Sequence, residues 1–182
     1  MEVEYREVNY SRTTLTELMV PAYANFGGKI HGGILLSLMD KVAYACASKH
    51  AGNYCVTVAV ENVDFLQPVE VGEMVSMYAS VNYVGTTSMV VGIKVIAENF
   101  KVGTVKHTNT SYFTMVAKEN GLPTKVPGLI LETKEDIKRF LEAIKRKELK
   151  SSYKTELQKA RIALLVDSEN LLLRNERCLI KR

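Results

Sequence analysis

No run of apolar residues in this chain approaches the length of a membrane span. The first twenty residues carry Glu2, Glu4, Arg6, Glu7, Arg12 and Glu17, where a secretory leader would need an apolar core. The expectation is a soluble, cytoplasmic protein. Cysteine is scarce: Cys46, Cys55 and Cys178 have no CxxC spacing, and two of them fall in segments that read as core, which points to a reducing compartment. Histidine is equally scarce. His31, His50 and His107 stand too far apart to form a ligand cluster, so nothing in the sequence supports a metal site. Charge of one sign is not concentrated enough to name a partner. The net charge is +4, its lysines and arginines gather toward the C-terminus without aromatic interleaving, and no nucleic-acid-binding motif is present. That excess reads as a solvated face, and a nucleic-acid role is set aside.

What the chain does have is one organising stretch, Asn25 to Gly52, NFGGKIHGGILLSLMDKVAYACASKHAG. It opens with Gly27, Gly28, Gly32 and Gly33, too many glycines for a helix interior, then runs without a breaker to Gly52 at a C-cap. A helix is predicted from about Gly33 to Ala51. Its apolar side chains, Ile34, Leu35, Leu38, Met39, Val42, Ala43, Cys46 and Ala47, cover most of the circumference, so the helix should be buried. One narrow polar stripe remains: Ser37, Asp40, Lys41, Tyr44 and Ser48. Asp40 stands at its edge, and a carboxylate at the rim of a buried helix is the first candidate for chemistry.

Around this helix the pattern has period two. Residues 12–20 read as an entering strand that ends at Pro21. Val56 to Leu66 is β-rich on both faces, and Gln67 to Glu73 supplies a turn through Pro68 and Gly72. Met74 to Val84 alternates as a half-buried strand, the GTTS at 85–88 turns, Met89 to Ala97 alternates again, and Thr104 to Lys118 forms a last strand. The connections are too short for crossovers, so the sheet must be largely antiparallel. An α+β fold follows, one long helix with a sheet curled around it, in a chain of 182 residues that can bury one sizeable core. Beyond Pro127 the composition changes: Thr133 to Lys150 places Ile137, Phe140, Leu141 and Ile144 at helical spacing among charges, and Leu157, Leu164, Leu165 and Leu171 to Leu173 mark a second helix. Those faces can pack on the sheet, on a partner subunit, or, less readily, on an anionic membrane.

Taken together, Asn25 before the glycines, HGGILLSLMD, VTVAVENVDFLQPVEVGE, VGTTS and a strand ending FTMVAK resemble the hot-dog-fold acyl-CoA thioesterases of the single-domain bacterial type. The likeness runs over about residues 12–128. It implies a domain at 1–128, with a long central helix wrapped by a five- or six-stranded antiparallel sheet, and a C-terminal helical extension at 129–182 outside the match. It also implies homodimers paired through their sheets, often a trimer of such pairs and hence a hexamer. The substrates would be acyl-CoA thioesters of fatty or short branched acids, which places the activity in fatty acid metabolism. No cofactor is called for, coenzyme A being part of the substrate and a product. The family's catalytic pattern falls on Asn25 and Asp40.

Thioester hydrolysis needs an activated water, a donor for the developing oxyanion and a grip on a long ligand. Asp40 suits the first need as general base or as direct nucleophile, and partial burial would raise its pKa; a bond to Lys41 or Tyr44 is the plainer alternative. The N–H groups of Gly32, Gly33 and Ile34 at the helix start suit an oxyanion hole, although such glycines also permit tight packing. Gly33 and Asp40 lie about 10 Å apart along the helix, too far for one thioester carbon to meet both, so donors and base should come from different chains. Asn25 would orient the water or the carbonyl, or else form an Asx turn. His31 is read as a structural or substrate-lining residue, and Thr57 as a hydrogen-bonding one. Gly85, Thr86 and Ser88 would present donors to the pantetheine arm or the phosphates, as the family's similar turn does. Lys106, Lys118 and Lys125 are candidates for the phosphates. The rival readings are a hot-dog dehydratase and a non-catalytic acyl-CoA-binding or sensing protein that keeps the fold.

Overall fold

The computed structural model describes residues 4–164 and 177–178. In chain order, β1 (Tyr5–Glu7) leads through the one-turn helix α1 (Val8–Ser11) to β2 (Thr13–Leu18) and a 3-10 turn at Pro21–Tyr23. The long helix α2 (Gly32–Ala51) follows, then β3 (Tyr54–Val60), β4 (Met74–Val84), β5 (Ser88–Asn99), β6 (Thr104–Glu119), β7 (Leu122–Pro123), β8 (Gly128–Ile130) and α3 (Lys134–Leu164). The chain divides into two compact units, Met1–Ala143 and Ile144–Arg182.

The helix begins and ends where local chemistry stops it. At its start the His31 side chain accepts a hydrogen bond from the Gly33 N–H, which satisfies one of the orphan donors of the first turn. At its end Gly52 takes the left-handed conformation, φ 69°, and its N–H returns to the Ser48 carbonyl. Arg6 adds a cation at that end, donating to the carbonyls of His50 at 2.7 Å and Lys49 at 3.3 Å.

The sheet has six strands in the order β2-β4-β5-β6-β3, with β7 added on β6, and every pairing is antiparallel. It curls around α2 as the sequence predicts. Leu35, Leu38, Met39, Val42, Ala43, Cys46 and Ala47 meet Val75, Met77, Val91, Ile93, Phe113 and Met115 in one core. Each large side chain removed from water there contributes about 1.5–3 kcal/mol. A short parallel pair, β1 with β8, closes the flank. Among the described residues no helix is long and apolar enough to cross a membrane.

Four features differ from the expectation. The third strand stops at Val60, two paired residues beyond a bulge between Thr57 and Ala59 that shifts its register. The following segment touches the sheet through Glu61 N–H to the Tyr112 carbonyl and Leu66 N–H to the Thr108 carbonyl, each 2.9 Å. β4 is buried on both faces rather than one: Ser76, Ser80 and Asn82 are covered, and Phe140 of α3 packs against Tyr83 with ring centroids 5.1 Å apart. The pieces β1, α1 and β8 are too short to leave a periodic signal. Finally, Leu157 belongs to the single helix α3 rather than to a second one, while Leu165 and the 171–173 leucines lie outside the described residues.

Candidate functional site

The Asn25 segment is a tight turn. The Asn25 Oδ1 accepts from the Gly27 N–H at 2.9 Å and the Lys29 N–H at 3.2 Å, and the backbone N–H of Asn25 donates to the Lys29 carbonyl at 2.7 Å. The Asx turn is therefore formed. It uses only the amide oxygen and leaves the Nδ2 donors available. Phe26, at the tip of this turn, is fully exposed.

The helix start is more occupied than the sequence implied. His31 Nδ1 lies 2.9 Å from the Gly33 nitrogen, and the Ile34 N–H donates to the His31 carbonyl at 2.9 Å. Of the three donors expected in the oxyanion hole, two are already engaged, and the Gly32 N–H is the one without a partner among the described residues. The role of His31 is thus structural in the first instance, since its Nδ1 must be unprotonated to cap. The glycines are needed for this arrangement. A Cβ on Gly33 would sit 2.9 Å from the His31 ring, and one on Gly32 would sit 3.3 Å from the Phe65 ring.

Asp40 stands two turns further along α2. The Thr57 hydroxyl donates to its Oδ1 at 2.6 Å and lies 3.3 Å from the Met115 sulfur. Neither of the plainer partners, Lys41 or Tyr44, bonds it among the described residues. Asp40 is exposed in the single chain, so the partial burial expected of it is not supplied by its own protomer. It borders two hollows. One, of about 520 Å³, is mainly apolar and includes Leu36, Val63, Phe65 and Phe113. The other, of about 320 Å³, is lined by Lys41, Tyr44, Tyr54 and Val56 together with Thr57. Tyr44 and Tyr54 lie ring to ring, centroids 5.9 Å apart.

Asn25 and His31 share a different hollow, with no contribution from Asp40. One chain therefore carries the expected site residues in two groups: Asn25, His31, Gly32 and Gly33 around the helix start, and Asp40 with Thr57. The turn at Gly85, Thr86 and Ser88 forms as expected, with the Gly85 N–H donating to the Ser88 carbonyl at 2.7 Å. Register places it. Val116 pairs with Ser88 on one side and Val56 on the other, so the turn lies at the same end of the sheet as Thr57, two strand spacings or about 10 Å away. Thr86 turns its carbonyl inward to accept from the Val126 N–H at 3.1 Å.

The three lysine candidates separate. Lys106 is tied to the buried Glu73 at 2.8 Å, and Lys118 reaches the Gly121 carbonyl at 3.4 Å, which leaves Lys125 as the exposed one. Cys46 is no nucleophile: burial pushes its thiol up to about 12. Among the described residues, no group of three or more His, Cys, Asp or Glu could hold a metal ion. Sequence reasoning passed over Phe65, which read as one more strand residue. The signal that sets it apart, the end of pairing after Val60, is a tertiary feature that composition does not encode.

Comparison with known proteins gives this geometry a context. The thioesterase superfamily model matches residues 27–104. The VdlD protein of Helicobacter pylori (strain ATCC 700392 / 26695) is 45% identical over 141 residues, 78% of this chain and 81% of that protein. YkhA of Bacillus subtilis (strain 168), an uncharacterized acyl-CoA thioester hydrolase, is 33% identical over 165 residues, 90% of this chain and 96% of that one. Among solved structures, an apo-hexameric acyl-CoA thioesterase superposes with a TM-score of 0.80 at 34% identity, covering 83% of this chain and 97% of the other. An acyl-CoA hydrolase from Staphylococcus aureus, solved with butyryl coenzyme A, coenzyme A and coenzyme A disulfide, gives 0.77 at 28% identity over 88% and 99%. That hydrolase has also been solved with an asparagine, an aspartate and a threonine each changed to alanine. Those positions follow one another at the same separations as Asn25, Asp40 and Thr57 do here.

Proposed function

The chain belongs to the thioesterase superfamily, among its hot-dog-fold acyl-CoA thioester hydrolases, and from that membership we propose that it hydrolyses acyl-CoA thioesters to a free acid and coenzyme A at a site centred on Asp40. The observation that carries the assignment is the position of this carboxylate. Asp40 borders both an apolar hollow and one lined by Lys41 and two tyrosines, with Oδ1 fixed by Thr57 and Oδ2 left for water. An acyl chain suits the first hollow and the pantetheine arm the second, which sets the thioester carbon at Asp40.

Hydrolysis then needs Asp40 to take a proton from water as the oxygen attacks the carbonyl carbon, or to attack that carbon itself and be released by water. The tetrahedral oxyanion collapses, the C–S bond breaks, and the thiolate recovers the proton as coenzyme A leaves. The Gly32 N–H and the positive end of α2 supply stabilisation for the oxyanion, and the free Nδ2 of Asn25 orients the water or the carbonyl. The apolar walls keep bulk water from the acyl chain.

The Gly32 N–H and Asp40 lie about 12 Å apart along α2, so the site is composite: Asn25 and Gly32 of one protomer face Asp40 and Thr57 of a second. The surface beside Asp40 supports pairing. β3 ends the sheet order, and Tyr44, Tyr54, Val58 and Val60 are exposed along and beside it. Joining two such edges buries this strip and brings Asp40 under cover. We extend the pairing to a trimer of dimers, in line with the hexameric relative, with residues 1–128 as the catalytic domain, residues 129–182 as an appended helical part, and action in the cytoplasm on fatty acyl-CoA.

The test is turnover. Release of coenzyme A from acyl-CoAs of graded length, followed with a thiol reagent, should be seen in the parent and fall by about 10²-fold or more in Asp40→Asn with the fold intact. Acyl-CoA bound by the parent without release of thiol would favour the sensing alternative and refute hydrolysis.

A further inference from the structure

We propose that Phe65 sets the acyl-chain length this site accepts, an inference that rests on the hydrolase reading above. The segment between Val60 and Leu66 does not lie in the sheet. Two backbone hydrogen bonds pin its ends, from the Glu61 and Leu66 N–H groups to the Tyr112 and Thr108 carbonyls, and the side chains of Val63 and Phe65 are carried between these pins toward α2. The Phe65 ring packs against the first turn of the helix, where a Cβ on Gly32 would be 3.3 Å away, close enough that the ring would have to give way slightly to admit one. The same ring lines the apolar hollow that Asp40 also borders.

These contacts define a path. Leaving Asp40 along α2 toward its N-terminus, an acyl chain in this hollow passes Leu36 after one turn, with Val63 and the Phe65 ring among the walls it meets. Phe113 also borders the hollow, but at 1% exposure it is fixed in the core. Phe65 is 46% exposed and held by a segment with few backbone bonds, so its size can change without dismantling the fold. Chain length is therefore read at Phe65 rather than at the buried floor.

The experiment is a profile of kcat/KM against acyl length, from acetyl- to palmitoyl-CoA, for the parent, Phe65→Leu and Phe65→Ala, with unfolding midpoints measured alongside. The ratio of kcat/KM for long over short substrates should rise in the order parent, Leu, Ala, by about fourfold for each methylene newly accommodated. A uniform loss at all lengths, or an unmoved optimum, would overturn the proposal. Phe65→Leu keeps the test decisive if the alanine variant folds poorly. A parent that releases no coenzyme A from any substrate refutes the hydrolase reading itself, whereas an active parent with an unmoved profile refutes only the role of Phe65.

Discussion

The Thr57 hydroxyl donates to the Asp40 carboxylate at 2.6 Å, joining the edge strand β3 to the middle of α2 across seventeen positions of sequence. Only one carboxylate oxygen is used, so the bond restrains the rotation of the group and leaves the other oxygen without a hydrogen bond among the described residues. A hydrogen bond to a charged group is worth about 1.5–3 kcal/mol. Thr57→Val should therefore lower kcat by about 10- to 100-fold, while Thr57→Ser, which keeps the hydroxyl, should recover most of it. Steady-state turnover of the two variants gives the answer, and a valine variant as active as the parent would show the bond to be incidental.

The proposed site gives Asn25 two separable jobs. Its Oδ1 closes the turn onto Gly27 and Lys29, and its Nδ2 is left for the substrate or water. Asn25→Asp keeps the acceptor and removes the donor, so it should hold the parent's thermal midpoint yet lose activity. Asn25→Ala should lose both. Equal activity of Asn25→Asp and the parent would confine this residue to turn formation.

The helix cap predicts a stability effect without chemistry. A methyl group on Gly33 meets the His31 ring at 2.9 Å, so Gly33→Ala should displace the ring and free the N–H it accepts. Loss of a cap costs about 1 kcal/mol, and His31→Ala should cost a similar amount. Urea unfolding at neutral pH measures both. A double variant that costs no more than either single change would place them in one interaction.

His50 makes stability depend on pH. It is fully buried, and its Nε2 lies 3.2 Å from the Pro127 carbonyl, so that nitrogen carries the proton of the neutral ring. Burial pushes its pKa below the ordinary 6.5. The unfolded chain therefore binds the extra proton first. The contribution is complete above about 6.5 and is lost as pH falls below that value toward the folded-state pKa. Urea midpoints of the parent should drop between pH 7.5 and 5.5 by more than those of His50→Gln, and parallel curves would contradict this.

Much of the fold was legible because its signals are local and periodic. The glycine stop at Gly52, the apolar face of α2 and the alternation in β4 to β6 all need only near neighbours in sequence. What could not be read depends on tertiary partners. Ser76, Ser80 and Asn82 look solvent-facing by alternation, but they are covered on the other face of the sheet. The strand after Thr57 looks continuous to Leu66, but its register shifts at a bulge between Thr57 and Ala59 and its pairing ends at Val60. Within the candidate site, the rim of the helix pointed to Asp40, the family resemblance pointed to Asn25 and again to Asp40, and Thr57 was expected only to hydrogen-bond. They did not show that His31 takes up the Gly33 donor, because a cap depends on one ring torsion. Phe65 was missed for the same kind of reason: its environment is made by a helix some thirty residues earlier in the chain.

The composite site is tested most directly by mixing two inactive proteins. Asn25→Ala and Asp40→Asn each disable both sites of their own homodimer, but a mixed dimer has one site carrying both changes and one carrying neither. Dissociating and reassociating equal amounts at random should restore about one quarter of the parent's sites, and coenzyme A release should rise with it. Activity that stays at the level of the separate variants, with exchange of subunits verified by mass, would mean that each chain supplies Asn25 and Asp40 to its own site.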